Sequence, residues 1–274
     1  MKKQYRDQLV ALPLTVLTCA VLVGFLFLEI TLLNHFTSQD ISLQVRVSDV
    51  LIGLTIYLKT SVDFAMFIGR LMEKNPGLKG RIGIEIGTAL GNAAGTFGIL
   101  LIWTFFKEVD WLLAAMIFLA SLVLLRLAQD GLEHIDTKKK TTLTSTVKLL
   151  DRGLQVINGF LEPVISRILP SKTLNVATRT GIWSVLALAF TVPFILGLDD
   201  FAGYVPLFNV VNVFGFAIGV LVGHMILNIF LYISPKRTIA IVKQPVISLL
   251  GSLAFIILAA WGLIEAFKLL FLAH

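Results

Sequence analysis

At 274 residues, 57% hydrophobic and only 15% charged, with a mean hydropathy of +0.88, the chain is too apolar for a soluble domain, where charged residues make up about 25%. Its formal net charge of +6 arises from basic residues in the connecting loops, which suits loops facing anionic lipid and gives no support to nucleic-acid binding. The single Cys19 excludes an intrachain disulfide and a Cys-x-x-Cys redox pair. The composition predicts an all-α polytopic membrane protein.

Spans need about 20 predominantly apolar residues. In chain order they are predicted near 9–33, 48–72, 81–106, 111–128, 181–205, 208–233 and 246–272, seven in all. The first follows Lys2, Lys3 and Arg6 as a signal peptide would, but it is long enough to span and has no small-residue cleavage site, so it is read as a retained helix. The fifth carries Pro193 and ends among Asp199 and Asp200. Between the fourth and fifth, residues 129–180 form a long connection. There Leu150, Leu154, Ile157, Leu161, Val164 and Ile168 recur at helical spacing from Thr141 to Pro170, predicting an amphipathic helix lying on the inner leaflet.

Basic residues set the orientation. Lys74, Lys79 and Arg81, then Lys138 to Lys140, Lys148, Arg152, Arg167, Lys172 and Arg179, then Lys236, Arg237 and Lys243 occupy alternate connections. The remaining connections hold only Arg46 and Lys107. By the positive-inside rule the N-terminus is cytoplasmic, the C-terminus lies outside, and the protein belongs in the cytoplasmic membrane.

Two stretches read as one unit written twice. Asp63-Phe64-Ala65 precedes a helix carrying Gly83, Gly87, Gly91 and Gly95; Asp200-Phe201-Ala202 precedes one carrying Gly215, Gly219 and Gly223. Spans two to four and five to seven then form two three-helix repeats, and the odd number inverts the second. The predicted organisation is an N-terminal transmembrane helix (1–40), a first repeat (41–128), the cytoplasmic connection (129–180) and a second repeat (181–274).

Asp63 falls near mid-bilayer, where a charge costs at least roughly 2.5–3.5 kcal/mol and so needs a partner or a job. Lys59, four residues earlier on the same face, is the expected charge partner. Thr60 and Ser61 add hydroxyls suited to holding an ion or capping a helix break. Asp199 and Asp200 are expected in a membrane cavity if the helix breaks at Gly197, and in the outer loop if it stops at Leu198. Aligning Gly83 with Gly215 sets Asn92 opposite His224, each directly after a ladder glycine, as substrate-binding candidates. Asn209, Asn212 and Asn228 add amides to span six. The glycines themselves read as a packing ladder of the small-xxx-small kind. Glu85 is expected to snorkel or to pair with Arg81, and Glu265 to pair with Lys268. No nucleotide loop, zinc motif or nucleophile–base pair is present, and no cofactor or enzymatic activity is expected.

Thr60-Ser61-Val62-Asp63-Phe64-Ala65, repeated as Gly197-Leu198-Asp199-Asp200-Phe201-Ala202, resembles the duplicated acidic motif of the LysE/TerC-type transporter superfamily, which includes MntP manganese exporters and CadD-like cadmium resistance proteins. The resemblance covers roughly four-fifths of the chain, spans two to seven. It implies a three-plus-three inverted fold that exports a small cation or an amino acid, with Asp63 and Asp200 as the acids, and metal ligands, of a central site. Phe64 stands where cation-handling relatives often carry a second polar residue, and Lys59 is close by; both weaken divalent-cation binding, because hard cations want several oxygens. The Pro-Gly motif of amino-acid exporters and the paired cysteines of the CcdA branch are absent. The leading expectation is a secondary transporter exporting a small cation. The alternatives are an amino-acid exporter, or a non-transporting scaffold whose amphipathic helix recruits a partner. The sequence does not set the oligomeric state.

Overall fold

A computed structural model describes residues 2–38, 40–75, 77–133, 147–156, 158–159, 182–242 and 244–271. Within these, the side chains of residues 2–11, 63, 133, 182, 195–203, 209, 242 and 247 lie outside the described set. The chain is all-α. The elements are α1 (Lys2–Phe36), α2 (Val47–Thr60), α3 (Val62–Lys74), α4 (Leu78–Phe106), α5 (Asp110–Glu133), α6 (residues 147–156), α7 (Ile182–Tyr204), a 3-10 turn (Val205–Asn209), α8 (Val213–Ile233), α9 (Pro235–Val242) and α10 (Pro245–Phe271).

Five helices, α1, α4, α5, α8 and α10, are long and apolar enough to cross a membrane; counting the α2–α3 pair as one bent span makes six. The chain is therefore a helical polytopic membrane protein. Seven spans were expected from the sequence; α7 is 23 residues long, but its described apolar stretch is only Trp183–Phe194. Large apolar side chains point outward along the helices, among them Leu17, Phe25, Leu32, Leu250, Ile257 and Phe267, each more than half exposed. In a bilayer these are lipid-facing positions rather than a solubility fault.

The second span is bent at the Thr60-Ser61 pair, whose hydroxyls suit a helix break. Its halves α2 and α3 meet at 65° around Ser61. Three donors converge on the carbonyl of Tyr57: the Ser61 amide at 3.0 Å, the Ser61 hydroxyl at 2.7 Å and the Thr60 hydroxyl at 3.1 Å. Hydroxyls that bond back into the preceding turn compete with the helical ladder and bend it. Conversely, the break anticipated at Gly197 is absent, and α7 runs continuously through Gly197, Asp199 and Asp200 to Tyr204. A lone glycine weakens a helix by only about 1 kcal/mol, too little to end one. The helix changes to a 3-10 turn where Pro206 supplies no amide donor. Span six accordingly begins at Val213, after Asn212 accepts a hydrogen bond from the Gly215 amide at 3.0 Å.

Three helix pairs make the most extensive contacts: α4 with α7, α5 with α10, and α2 with α8. Helix α1 lies against α8 and α4, presenting Leu22, Leu26, Ile30 and Leu33. Glycines set how near the helices come. A Cβ on Gly219 would collide with the carbonyl oxygen of Val50, and one on Gly53 with that of Phe216. Between α4 and α7 the same holds for Gly91 against the Phe190 carbonyl, while a Cβ on Gly87 would stand 2.7 Å from the Leu186 oxygen. Because the obstructing atoms are backbone, neither helix can yield locally. Gly219→Val and Gly91→Val are each expected to destabilise the fold by about 1–3 kcal/mol or more. A fall in melting temperature in detergent, with Gly24→Val as a control at an unobstructed glycine, checks this.

Candidate functional site

Two apolar helices carry polar stripes at helical spacing. On α4 these are Arg81, Glu85, Thr88 and Asn92; on α8 they are His224, Asn228 and Tyr232. All seven are buried, Glu85 to 1% exposure and Asn228 completely. The stripes meet at the side of α2, where Tyr57 sits against Gly223. The Tyr57 hydroxyl lies 2.8 Å from Nδ1 of His224, and the Asn228 amide nitrogen lies 3.1 Å from Nε2 of that ring. Asn228 also donates to the Thr88 hydroxyl at 3.2 Å, which in turn donates to the Glu85 carbonyl at 3.0 Å. The two ring nitrogens of His224 thus bridge the Tyr57 hydroxyl of α2 and the Asn228 amide of α8.

The Glu85 carboxylate is within hydrogen-bonding reach of Thr15 on α1 and of Asn228 and Tyr232 on α8, yet its Oε2 has no partner. Below it, Tyr232 donates to the Arg81 carbonyl at 2.5 Å and Arg81 donates to the Tyr232 carbonyl at 3.2 Å, a reciprocal clasp between α4 and α8. Arg81 also stacks 5.8 Å from the Tyr232 ring centroid. Glu85 therefore neither snorkels nor pairs with Arg81, because the Arg81 fork is turned to the α8 backbone and to Tyr232. The Glu265–Lys268 pair forms at 3.6 Å. His224 is walled by the rings of Tyr57 and Phe64, with centroids 5.9 and 5.2 Å away.

Asn92 is buried with its Nδ2 unpartnered, one turn above Thr88, and is not hydrogen-bonded to His224. Asn212 is a helix cap that also donates to the Ser42 carbonyl at 2.9 Å, so it does not line the span interior; the Asn209 side chain lies outside the described residues. Thr60 accepts a hydrogen bond from the Tyr204 hydroxyl at 2.5 Å, tying the α2 bend to the end of α7. Asp63 sits in the first turn of α3, and Asp199 and Asp200 near the end of α7, but their side chains lie outside the described residues. Lys59 does not simply follow its own helix. Its stem fills the place a Cβ on Gly251 of α10 would take, and its Nζ is buried without a hydrogen-bond partner. Gly87 and Gly91 on α4, and Gly215, Gly219 and Gly223 on α8, are buried at helix contacts, and Gly83 is buried on α4.

Thr15, Tyr57, Thr88 and Tyr232 join the site without belonging to any motif in the sequence. Their signal was the spacing of polar residues three and four apart within apolar helices, visible only when the stripes are taken together. Among the described residues, no three His, Cys, Asp or Glu side chains converge as a metal site would require. Comparison with family models, with curated proteins and with solved structures found no match.

Asn228 holds the network together, since its amide is the link between α8, His224 and α4. Asn228→Leu should strand His224 Nε2 and Thr88 and cost about 1–3 kcal/mol. Asn212→Ala, which removes only a cap, should cost about 1 kcal/mol. Chemical or thermal unfolding in detergent ranks the two.

Proposed function

We propose that the chain is a secondary transporter that exports a small cation across the cytoplasmic membrane in exchange for protons. In this reading α2–α3 and α7 each count as one span, giving seven, with the N-terminus inside and the C-terminus outside. One observation carries the proposal: the three main helix pairs are related by an exchange. Swapping α2 for α7, α4 for α8 and α5 for α10 turns the α2–α8 contact into the α7–α4 contact and returns α5–α10 to itself. This is the pairing that a pseudo-two-fold axis between inverted three-helix repeats requires.

The glycine register supports it. Gly87 and Gly219 are counterparts in the aligned ladders; Gly87 faces the Leu186 carbonyl and Gly219 the Val50 carbonyl. Gly91 faces Phe190 and its counterpart Gly223 faces Tyr57, so each ladder packs on the first helix of the other unit. Buried ionisable groups between such units mark substrate and proton paths by default. Glu85 and His224, joined through Asn228, supply a carboxylate and an imidazole at the α4–α8 contact. Asp63 and Asp200, which the LysE/TerC resemblance nominates, lie on the two segments that the Thr60–Tyr204 hydrogen bond ties together. In this scheme a proton on Glu85 alternates with a cation held by the acids, Thr60 and Ser61.

With no nucleotide-binding loop in the sequence, energy coupling would come from an ion gradient or a separate subunit. Vesicles reconstituted with the protein, carrying a proton gradient and tested against Mn2+, other divalent metals and amino acids, should show substrate-dependent flux. Glu85→Gln and Asp63→Asn should each lower that flux about tenfold or more while leaving a monodisperse protein, a loss corresponding to at least ~1.4 kcal/mol. Absence of flux across the whole panel from folded protein would instead favour the scaffold alternative. That alternative expects deletion of about residues 141–170 to be the more severe lesion.

A further inference from the structure

Away from the Glu85–His224 chain, a second polar site lies where the bend of α2 meets α5 and α10. It is a cavity of about 40 Å³ bordered by Lys59, Thr60, Asp130, Gly131, Ser248 and Ser252. A water needs about 10–15 Å³ of such space, so the cavity admits a few waters, a halide or a single carboxylate group, and nothing much larger. Two of its polar atoms are buried without a hydrogen-bond partner: Lys59 Nζ and the Oγ of Ser252, a residue 1% exposed. Thr60 and Asp130 are both engaged in contacts of their own, and Thr60 holds Tyr57 and Tyr204. Lys59 Nζ and Ser252 Oγ are thus the two buried donors on its wall left without a partner, beside Ser248 and the Asp130 carboxylate.

The placement of Lys59 is built rather than accidental. Gly251 is the one residue type that leaves room for the lysine stem to cross to α10. A Cβ on Gly131 would stand 2.5 Å from Ser252 Oγ, so the absence of a side chain there keeps the hydroxyl accessible to the cavity. The first turn of α10, which begins at Pro245 and includes Ser248, brings the positive end of a 27-residue helix to the same wall. An ammonium taken out of water without a hydrogen-bond partner is unfavourable, and an anion in contact with it lowers that penalty, while the Asp130 carboxylate on the same wall limits the added negative charge to one.

We propose that this cavity binds a small monovalent anion, a halide or the carboxylate of a small solute, held by Lys59 and Ser252 at the start of α10. Its size and the bordering Asp130 carboxylate exclude sulfate and other divalent anions. The site shares Thr60 with the cation path proposed above, but its test reads anion binding and does not rest on transport.

The test uses full-length protein in detergent, melted in a bulky sulfonate salt with chloride, bromide, acetate or sulfate substituted at constant ionic strength. Chloride, bromide or acetate should raise the melting temperature saturably by roughly 2–4 °C, as a ligand that binds only the folded state does. Lys59→Met and Ser252→Ala should abolish or weaken that rise, and Lys59→Arg should keep it. The halide and acetate arms tell a free ion from a solute carboxylate, and either supports the site. Should Lys59→Met fail to fold, ³⁵Cl line broadening by wild-type protein, displaced by bromide and reduced in Ser252→Ala, reads the same site. The proposal is overturned if no anion gives a saturable shift, as for a water-filled cavity beside a neutral lysine. It is equally overturned if sulfate matches chloride or if Lys59→Met responds like wild type.

Discussion

Close approach of helix backbones is the constraint on which the rest of this structure depends. Within lipid, apolar side chains gain nothing by leaving one hydrocarbon surface for another, so helices associate through van der Waals packing and hydrogen bonds. Glycines at positions 53, 87, 91 and 219 bring α2 against α8 and α4 against α7 until backbone carbonyls fill the space a Cβ would occupy. The α8 polar stripe owes its position to that fit. His224 follows directly on Gly223, whose missing side chain accommodates the Tyr57 ring, and so the imidazole is delivered to the Tyr57 hydroxyl.

The same packing leaves the polar stripes only partly satisfied. Glu85 Oε2, Asn92 Nδ2, Arg81 Nε and Asn228 Oδ1 are buried with no hydrogen-bond partner among the described residues. Each such atom costs about 1–3 kcal/mol in a purely structural setting. They lie along two neighbouring helices, so the α4–α8 contact is less fully hydrogen-bonded than an optimised core. The reciprocal Arg81–Tyr232 clasp shows the contrast: there the polar groups answer each other's backbone and fasten α4 to α8.

The bend at Ser61 links these regions. Thr60 and Ser61 spend their hydroxyl donors on the Tyr57 carbonyl, and Tyr57 is also the partner of His224. The residue that closes the bend is thus the one that touches the imidazole, and Thr60 reaches Tyr204 at the far end of α7. A change of angle at the bend would be felt at the α2–α8 contact and at the Thr60–Tyr204 hydrogen bond to α7.

Much of the architecture was legible in the sequence, because burial in lipid imposes a local requirement: long apolar segments must be helices that satisfy their own backbone. The membrane class, most span positions and the glycine ladders follow from composition and spacing alone. Boundaries were less legible. The bend at Ser61 depends on two hydroxyls bonding back to Tyr57, and the continuity of α7 through Gly197 depends on the small penalty of one glycine in a long helix. The site was legible only in pieces. His224, Asn92, Glu85 and Asn228 stood out as polar residues in apolar surroundings, but Tyr57, Thr88 and Tyr232 become members of one chain only when α2, α4 and α8 are side by side. Lys59 adds a contact that spacing does not show, since its stem crosses to α10 at the opening left by Gly251. Local spacing determines which residues share a helix face; which faces meet is decided by packing between helices far apart in sequence.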